Sequence, residues 1–259
     1  MNLFRVRGIQ LAVHFSFLLL LAFVAYYGWK GDPEAHIIGG WTGMFWNVAV
    51  LLTFFTCVVL HEFGHSFTAM YYGVGVRRIL LMPIGGMAEF DSIPRQPSRE
   101  LLITLAGPAV NFAIAAVLGI FFGAPDVWGF DVDPTTLSGF AHLLLQWNLL
   151  MGLFNLVPVF PMDGGRIFRA LLATRLPYLR ATFIAASVAK VLATIAAGTA
   201  VFLEAELTAV LFVFIFVAGE MEYRAVRRRE VEDAQWRAVL ARAYVDLPPP
   251  ASEPPIIRG

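Results

Sequence analysis

The chain has 259 residues, of which 58% are hydrophobic and 15% charged, and its formal net charge is zero. A soluble domain carries about 25% charged residues, so an ordinary water-soluble enzyme is excluded, and so is disorder, which needs low hydrophobicity and high charge. Neutrality gives nucleic acid no electrostatic footing as a partner, and the single cysteine, Cys57, leaves neither an internal disulfide nor a multi-cysteine zinc site.

Six apolar stretches follow one another, at about 9–29, 44–72, 99–123, 137–158, 180–203 and 206–219. At roughly 20 residues per span they predict an all-α polytopic membrane protein of about six transmembrane helices. The first stretch follows Arg5 and Arg7 but is too long for a signal-peptide core. Tyr26, Tyr27 and Trp29 stand where a small-residue cleavage site would be, so it reads as an anchor. After the second span, Val76 to Met82 and Met87 to Phe90 read as two strands with Gly85-Gly86 as their turn, which predicts a small β-hairpin. The sixth stretch is short and is expected to continue as a helix through a charged segment, 220–246. The residues 247–259, with five prolines, read as an extended tail. The expected domain plan is thus a membrane domain over 1–219, a charged helix over 220–246 and a Pro-rich tail over 247–259.

The basic set is 17 Arg and 2 Lys, and its placement sets the topology. Arg5 and Arg7, then Arg77, Arg78, Arg95 and Arg99, then Arg166, Arg169, Arg175 and Arg180, and last Arg224 and Arg227 to Arg229 fall between alternate spans. The other loops carry mainly acids, with Lys30 as the one exception. The positive-inside rule then puts both termini and the hairpin in the cytoplasm of a multi-pass cell-membrane protein. Arg227 to Arg229 read as an anchor near anionic lipid.

The second span contains His61-Glu62-Phe63-Gly64-His65, an H-E-x-x-H pattern. On a helix the two histidines share one face, about 6 Å apart at Cβ, so both imidazoles can reach one zinc. Glu62 stands beside them, placed to take a proton from water. Ionisable residues inside a span are costly and point to function. The alternative, a polar cluster that only holds helices together, leaves the match of residue types unexplained.

A catalytic zinc takes three protein ligands. The long motif that supplies a third histidine downstream is absent, because Thr68 and Tyr71 stand at its next two positions. Two carboxylates are candidates. Glu89 lies in the hairpin. Asp163 follows the fourth span in Asn155-Leu-Val-Pro158-Val-Phe-Pro161-Met-Asp163-Gly164-Gly165, where the prolines break the helix and the glycines permit a tight turn. Irregular backbone at membrane depth is tolerated where it lines a protein-walled cavity, which favours Asp163, although an Asp-Gly pair can also be a plain turn.

These motifs together resemble the site-2 protease family of intramembrane zinc metalloproteases. The resemblance is carried by His61, Glu62 and His65, by Asn155, Pro158, Pro161, Asp163 and Gly164, by Gly85-Gly86, and by Gly107-Pro108-Ala-Val-Asn111 in the third span. It runs from about Gly8 to residue 219. It implies one zinc per chain held by His61, His65 and Asp163, with Glu62 as the catalytic base and Asn155 near the substrate carbonyl or its oxyanion. It implies hydrolysis of a peptide bond in or near a transmembrane helix of a single-pass membrane-protein substrate, inside the lipid bilayer. A homo-oligomer is compatible with it. The chain reads as a short form without a PDZ insertion or CBS domains.

The remaining polar residues have plainer readings. His14 stands near the cytoplasmic start of the first span and His142 can hydrogen-bond another helix, either of them lining a cavity rather than binding metal; Lys190 is expected to snorkel or pair inside the bundle, and Gly107, Pro108 and Asn111 to shape helix packing. The rival function is a non-proteolytic transporter or metal-binding module, since broken helices and buried acids suit transporters too. No paired halves are evident, and Glu62 would have no special duty there.

Overall fold

A computed structural model describes residues 1–31, 39–91, 95–123 and 134–245. The acidic loop residues Asp32, Glu34, Asp126, Asp131 and Asp133, together with His36 and the Pro-rich tail 247–259, lie outside the described residues.

The chain opens in strands rather than in a long helix. Strands β1 (Asn2–Val6) and β2 (Ile9–Val13) form a hairpin whose two-residue turn is Arg7-Gly8. Both turn residues have positive φ, 49° and 91°, which suits the right-handed twist of a tight hairpin and makes Gly8 the natural second residue. Helix α1 (Phe15–Lys30) starts only after His14, whose ring Nδ1 accepts from the Ser16 N–H and caps the helix. The apolar run 9–29 is therefore divided. Four of its first five residues, Ile9, Leu11, Ala12 and Val13, are apolar and buried because β2 is a central strand covered by protein.

Helix α2 (Gly40–Tyr71) is 32 residues long and leads into β3 (Val76–Met82) and β4 (Gly85–Phe90). The hairpin expected over 76–90 is present, with two differences. Its turn is Pro83-Ile84, with Gly85-Gly86 opening β4, and it belongs to a four-stranded sheet in the order β1-β2-β3-β4. Strands β2 and β3 are parallel, joined by the crossover through α1 and α2. Ile9, Leu11, Val13, Ile79 and Leu81 of the sheet pack with Phe17 of α1 and with Phe55 and Val58 of α2 in one apolar core. That core seats the sheet one helical turn from His61.

Five more helices complete the fold among the described residues. They are α3 (Pro97–Phe122), α4 (Leu137–Asn155), the short α5 (Asp163–Ala173) and α6 (Tyr178–Phe202), followed by the 40-residue α7 (Glu206–Val245). The sixth apolar stretch and the charged segment after it are indeed one continuous helix. Lys190 of α6 pairs with Glu220 of α7 at 2.9 Å. His142 of α4 bonds the Phe122 carbonyl at the end of α3 at 2.9 Å.

The protein is mostly helical with a small four-stranded sheet rather than all-α. Among the described residues, α2, α3, α4 and α6 are long and apolar enough to cross a membrane. Helix α1 has 16 residues, about 24 Å, because β2 takes the start of the stretch. Large apolar side chains such as Ile120, Phe121, Ile195 and Phe202 are exposed on these helices, as lipid-facing residues are.

Helices α2 and α3 meet at Gly64. A Cβ there would lie 2.6 Å from the Ala106 carbonyl oxygen and 2.9 Å from Val110 Cγ2. The two backbones are thus in direct contact, as small residues allow in membrane bundles. Gly64→Val is expected to cost about 1–3 kcal/mol through overpacking. Thermal unfolding in detergent should show a lowered midpoint, and an unchanged midpoint would refute this contact.

Candidate active site

His61 and His65 lie one turn apart on α2, both buried, with rings edge-to-face and centroids 4.7 Å apart. Their Nε2 atoms are 3.1 Å from each other. Asp163, at the start of α5, brings Oδ2 to 3.2 Å from each Nε2. Among the described residues these three are the one group of His, Cys, Asp or Glu whose ligand atoms gather within 4.8 Å. Two motifs separated by about 100 residues thus meet at one point.

The hydrogen bonds around the rings decide which nitrogen bears the proton. Asn148 spends its Nδ2 on the Leu144 carbonyl at 2.8 Å, so its Oδ1 accepts from Asn111 Nδ2 at 2.9 Å. The Asn111 Oδ1 is then turned to His61 and can only accept, so His61 Nδ1 donates. His65 Nδ1 donates to the Ile103 carbonyl at 2.8 Å. Both Nε2 atoms are left as lone pairs. They face an Asp163 oxygen, buried and without a hydrogen-bond partner.

Three acceptors pointing at one another repel unless a cation lies between them. Zinc bound at about 2.0–2.1 Å would set tetrahedral ligands about 3.3 Å apart, close to the spacings found here. The donor set therefore fits one zinc ion, with outer partners of the kind that orient metal-binding histidines.

Glycine makes the room. A Cβ on Gly107 of α3 would overlap His65 Nε2 and lie 2.8 Å from His61 Nε2. Gly86 of β4 serves Glu62 in the same way, since its Cβ would lie 2.8 Å from Glu62 Cγ. Glu62 is half-buried, and its Oε2 accepts from the Ala88 N–H of β4 at 3.2 Å. Strand β4 ends the sheet order, so that N–H points off the sheet's free edge to Glu62, the residue next to His61.

The broken segment expected around Asp163 is present between α4 and α5, but Asp163-Gly164-Gly165 is not a turn. These residues open α5. A Cβ on Gly164 would overlap the Leu156 and Val157 carbonyls, and one on Gly165 would lie 2.7 Å from the Phe160 backbone nitrogen. The glycines let the helix start directly against the irregular chain that precedes it.

Glu89, the other candidate ligand, is elsewhere. It binds Arg78 at 2.7 Å on the sheet, and that bond holds its carboxyl below the ordinary value. Asn155 ends α4, half-buried, with its Nδ2 donating to the Met151 carbonyl of its own helix at 3.0 Å. Sequence reasoning gave Asn111 only a packing role and overlooked Asn148. The Gly107-to-Asn111 motif was visible, but only the folded chain shows that it faces the histidines.

The model of Peptidase family M50 matches residues 49–128 and 132–197, which include every residue of this cluster. The zinc metalloprotease MJ0392 of Methanocaldococcus jannaschii is 38% identical over 227 residues, 87% of this chain. Stage IV sporulation protein FB of Bacillus subtilis is 26% identical over 136 residues, 52% of this chain. This chain spans 61% and 44% of the length of those two relatives. The solved structure of the site-2 protease from Methanocaldococcus jannaschii aligns with a TM-score of 0.60 at 34% identity, over 86% of this chain and 94% of that one. The chain is a multi-pass membrane protein and belongs to peptidase family M50, the family of the site-2 proteases.

Proposed function

We propose that this protein is an intramembrane zinc metalloprotease that hydrolyses a peptide bond within or near a transmembrane helix of another membrane protein. The observation that carries this reading is the buried triad of unprotonated acceptors from His61, His65 and Asp163, beside a carboxylate, Glu62, that none of them occupies. The donor set and its outer hydrogen bonds support one zinc per chain, with these three residues as ligands. A transporter or passive metal module gives Glu62 no task.

Bound there, zinc would polarise a scissile carbonyl and lower the pKa of water toward about 7. Glu62 acts as general base, taking a proton from the water that attacks the carbonyl carbon. As the C–N bond breaks, Glu62 returns that proton to the leaving amine. The water oxygen ends in the new carboxylate. Asn155 has a second Nδ2 hydrogen beyond the one given to Met151, and it can donate to the carbonyl oxygen as negative charge develops.

His61 lies about 15 Å along α2 from its end at Tyr71, so the bond cut is well below the membrane surface. A helix hides its peptide groups, so the substrate must unwind locally. The free edge of β4 supports docking of that extended stretch by strand addition, beside Glu62.

We also infer that α1 and the apolar first half of α7 complete six spans. Arg77 and Arg78 of the sheet, Arg95 and Arg99 around the start of α3, Arg166, Arg169, Arg175 and Arg180 in and between α5 and α6, and Arg224 and Arg227 to Arg229 of α7 fall between alternate spans in the sequence, and the positive-inside rule puts that side and both termini in the cytoplasm. The domain plan keeps a membrane unit over 1–219, a charged cytoplasmic helix from 220 and the tail from 247.

Three outcomes test the reading. Glu62→Gln should keep zinc yet lose cleavage of a single-span substrate in liposomes by about 100-fold or more. Full-rate cleavage by that variant would refute the mechanism. Asp163→Ala should lose bound zinc and Glu89→Ala should keep it, as measured by metal analysis of purified protein; the reverse would move the third ligand to the sheet. Gly107→Val should abolish zinc uptake through its overlap with both imidazoles, and normal zinc content would show that α3 does not press on the pair.

A further inference from the structure

Arg169 of α5 is fully buried, with no solvent exposure. It touches none of the groups assigned to the reaction. Its Nε donates to Glu100 Oε1 of α3 at 2.9 Å, its Nη2 donates to the same oxygen, and its Nη1 donates to Glu222 of α7. The Phe160 and Tyr178 rings flank the guanidinium at 5.3 and 5.1 Å. Such a group is expensive to bury, and an ion pair of this kind seldom stabilises a fold more than apolar packing would; its best-attested use is to fix register.

Register is what α5 otherwise lacks. The helix has 11 residues and follows seven irregular ones, 156–162. Gly164 and Gly165 set how closely it approaches that segment, but a contact between small residues does not fix rotation. A planar guanidinium with donors committed to two different helices does. Arg169 is six residues beyond Asp163, about 9 Å along the axis.

The Glu100 end of the pair is equally placed. Glu100, Ile103, Gly107 and Asn111 recur at intervals of three, four and four, which is one face of α3. Asn111 orients His61, Ile103 orients His65, and Gly107 makes room for both. Glu100 extends that face to the helix carrying the third ligand.

We propose that Arg169 is a positioning residue for Asp163, registering α5 against the face of α3 that also orients His61 and His65. The inference rests on the metal-site reading above. Zinc affinity therefore depends on an ion pair that is remote from the ligand atoms.

The test is the double variant Glu100→Gln/Arg169→Met, which removes both buried charges at similar volume; Glu222 is left partly exposed to water. Helicity and thermal midpoint in detergent report folding. Zinc affinity comes from chelator competition, and the visible spectrum of the cobalt-loaded protein reports ligand geometry. The expected result is a folded protein with zinc bound about 10–100-fold more weakly and an altered cobalt spectrum. Arg169→Lys, which keeps the charge but loses the fork, should fall between the double variant and wild type. A folded double variant with an affinity within about twofold of wild type and an unchanged spectrum overturns the proposal. Should the double variant not fold, Arg169→Lys decides by the same two readouts. Wild-type protein that takes up no metal, or takes it up equally well as His61→Ala, overturns the site reading itself and this inference with it.

Discussion

One face of helix α3 is the frame on which the candidate site is built. Asn111 and the Ile103 carbonyl take the two imidazole N–H groups, and Gly107 between them removes the Cβ that would displace the rings. The consequence is electrostatic. Each Nδ1 proton is committed outward, so each Nε2 lone pair must point inward, where the Asp163 oxygen already lies. A buried arrangement of acceptors alone is unfavourable, and a divalent cation is what makes it favourable. The same residues that make the empty geometry costly give the metal its affinity.

Around this frame the fold separates what must be rigid from what must be open. Helices α2 and α3 touch backbone to backbone at Gly64, and the two metal-facing histidines on α2 inherit that rigidity. The sheet is seated on α2 by the apolar core of Phe55 and Val58, which brings the free edge of β4 to Glu62. Asp163 enters the cluster on a helix that follows broken backbone. Such backbone is the form a membrane protein uses where a cavity admits water. The proposed hydrolysis at this depth needs that access.

Much of this was legible from residue order. The H-E-x-x-H spacing places two imidazoles and a carboxylate on one helix turn, because the period of an α-helix is fixed. The hairpin over 76–90 and the continuity of the last apolar stretch with its charged extension were legible for the same local reason. The reading of 9–29 as one span was not sound, since a short run with four apolar residues in five fits a covered strand as well as a helix end. The difference was made by β3, more than 60 residues downstream, which pairs with β2. Asp163-Gly164 could be read as a turn or as a broken-helix ligand, and only the packing of Gly164 on the Leu156 and Val157 carbonyls shows that it starts a helix.

Sequence by itself determined the membrane setting, the likeness to zinc proteases and two of the three metal-facing residues, because apolar length and helical spacing are local properties. Tertiary structure decided the rest. It chose Asp163 over Glu89 by bringing the first to 3.2 Å from both Nε2 atoms while Arg78 held the second on the sheet. It turned Asn111 from a packing residue into part of a chain of amides, completed by Asn148, that sets a histidine tautomer. It also joined Arg169 to Glu100, 69 positions earlier. Each of these depends on contacts between distant segments, and a hydrogen bond or ion pair across helices is specified by distance and direction in the folded chain, which no local pattern of residues encodes.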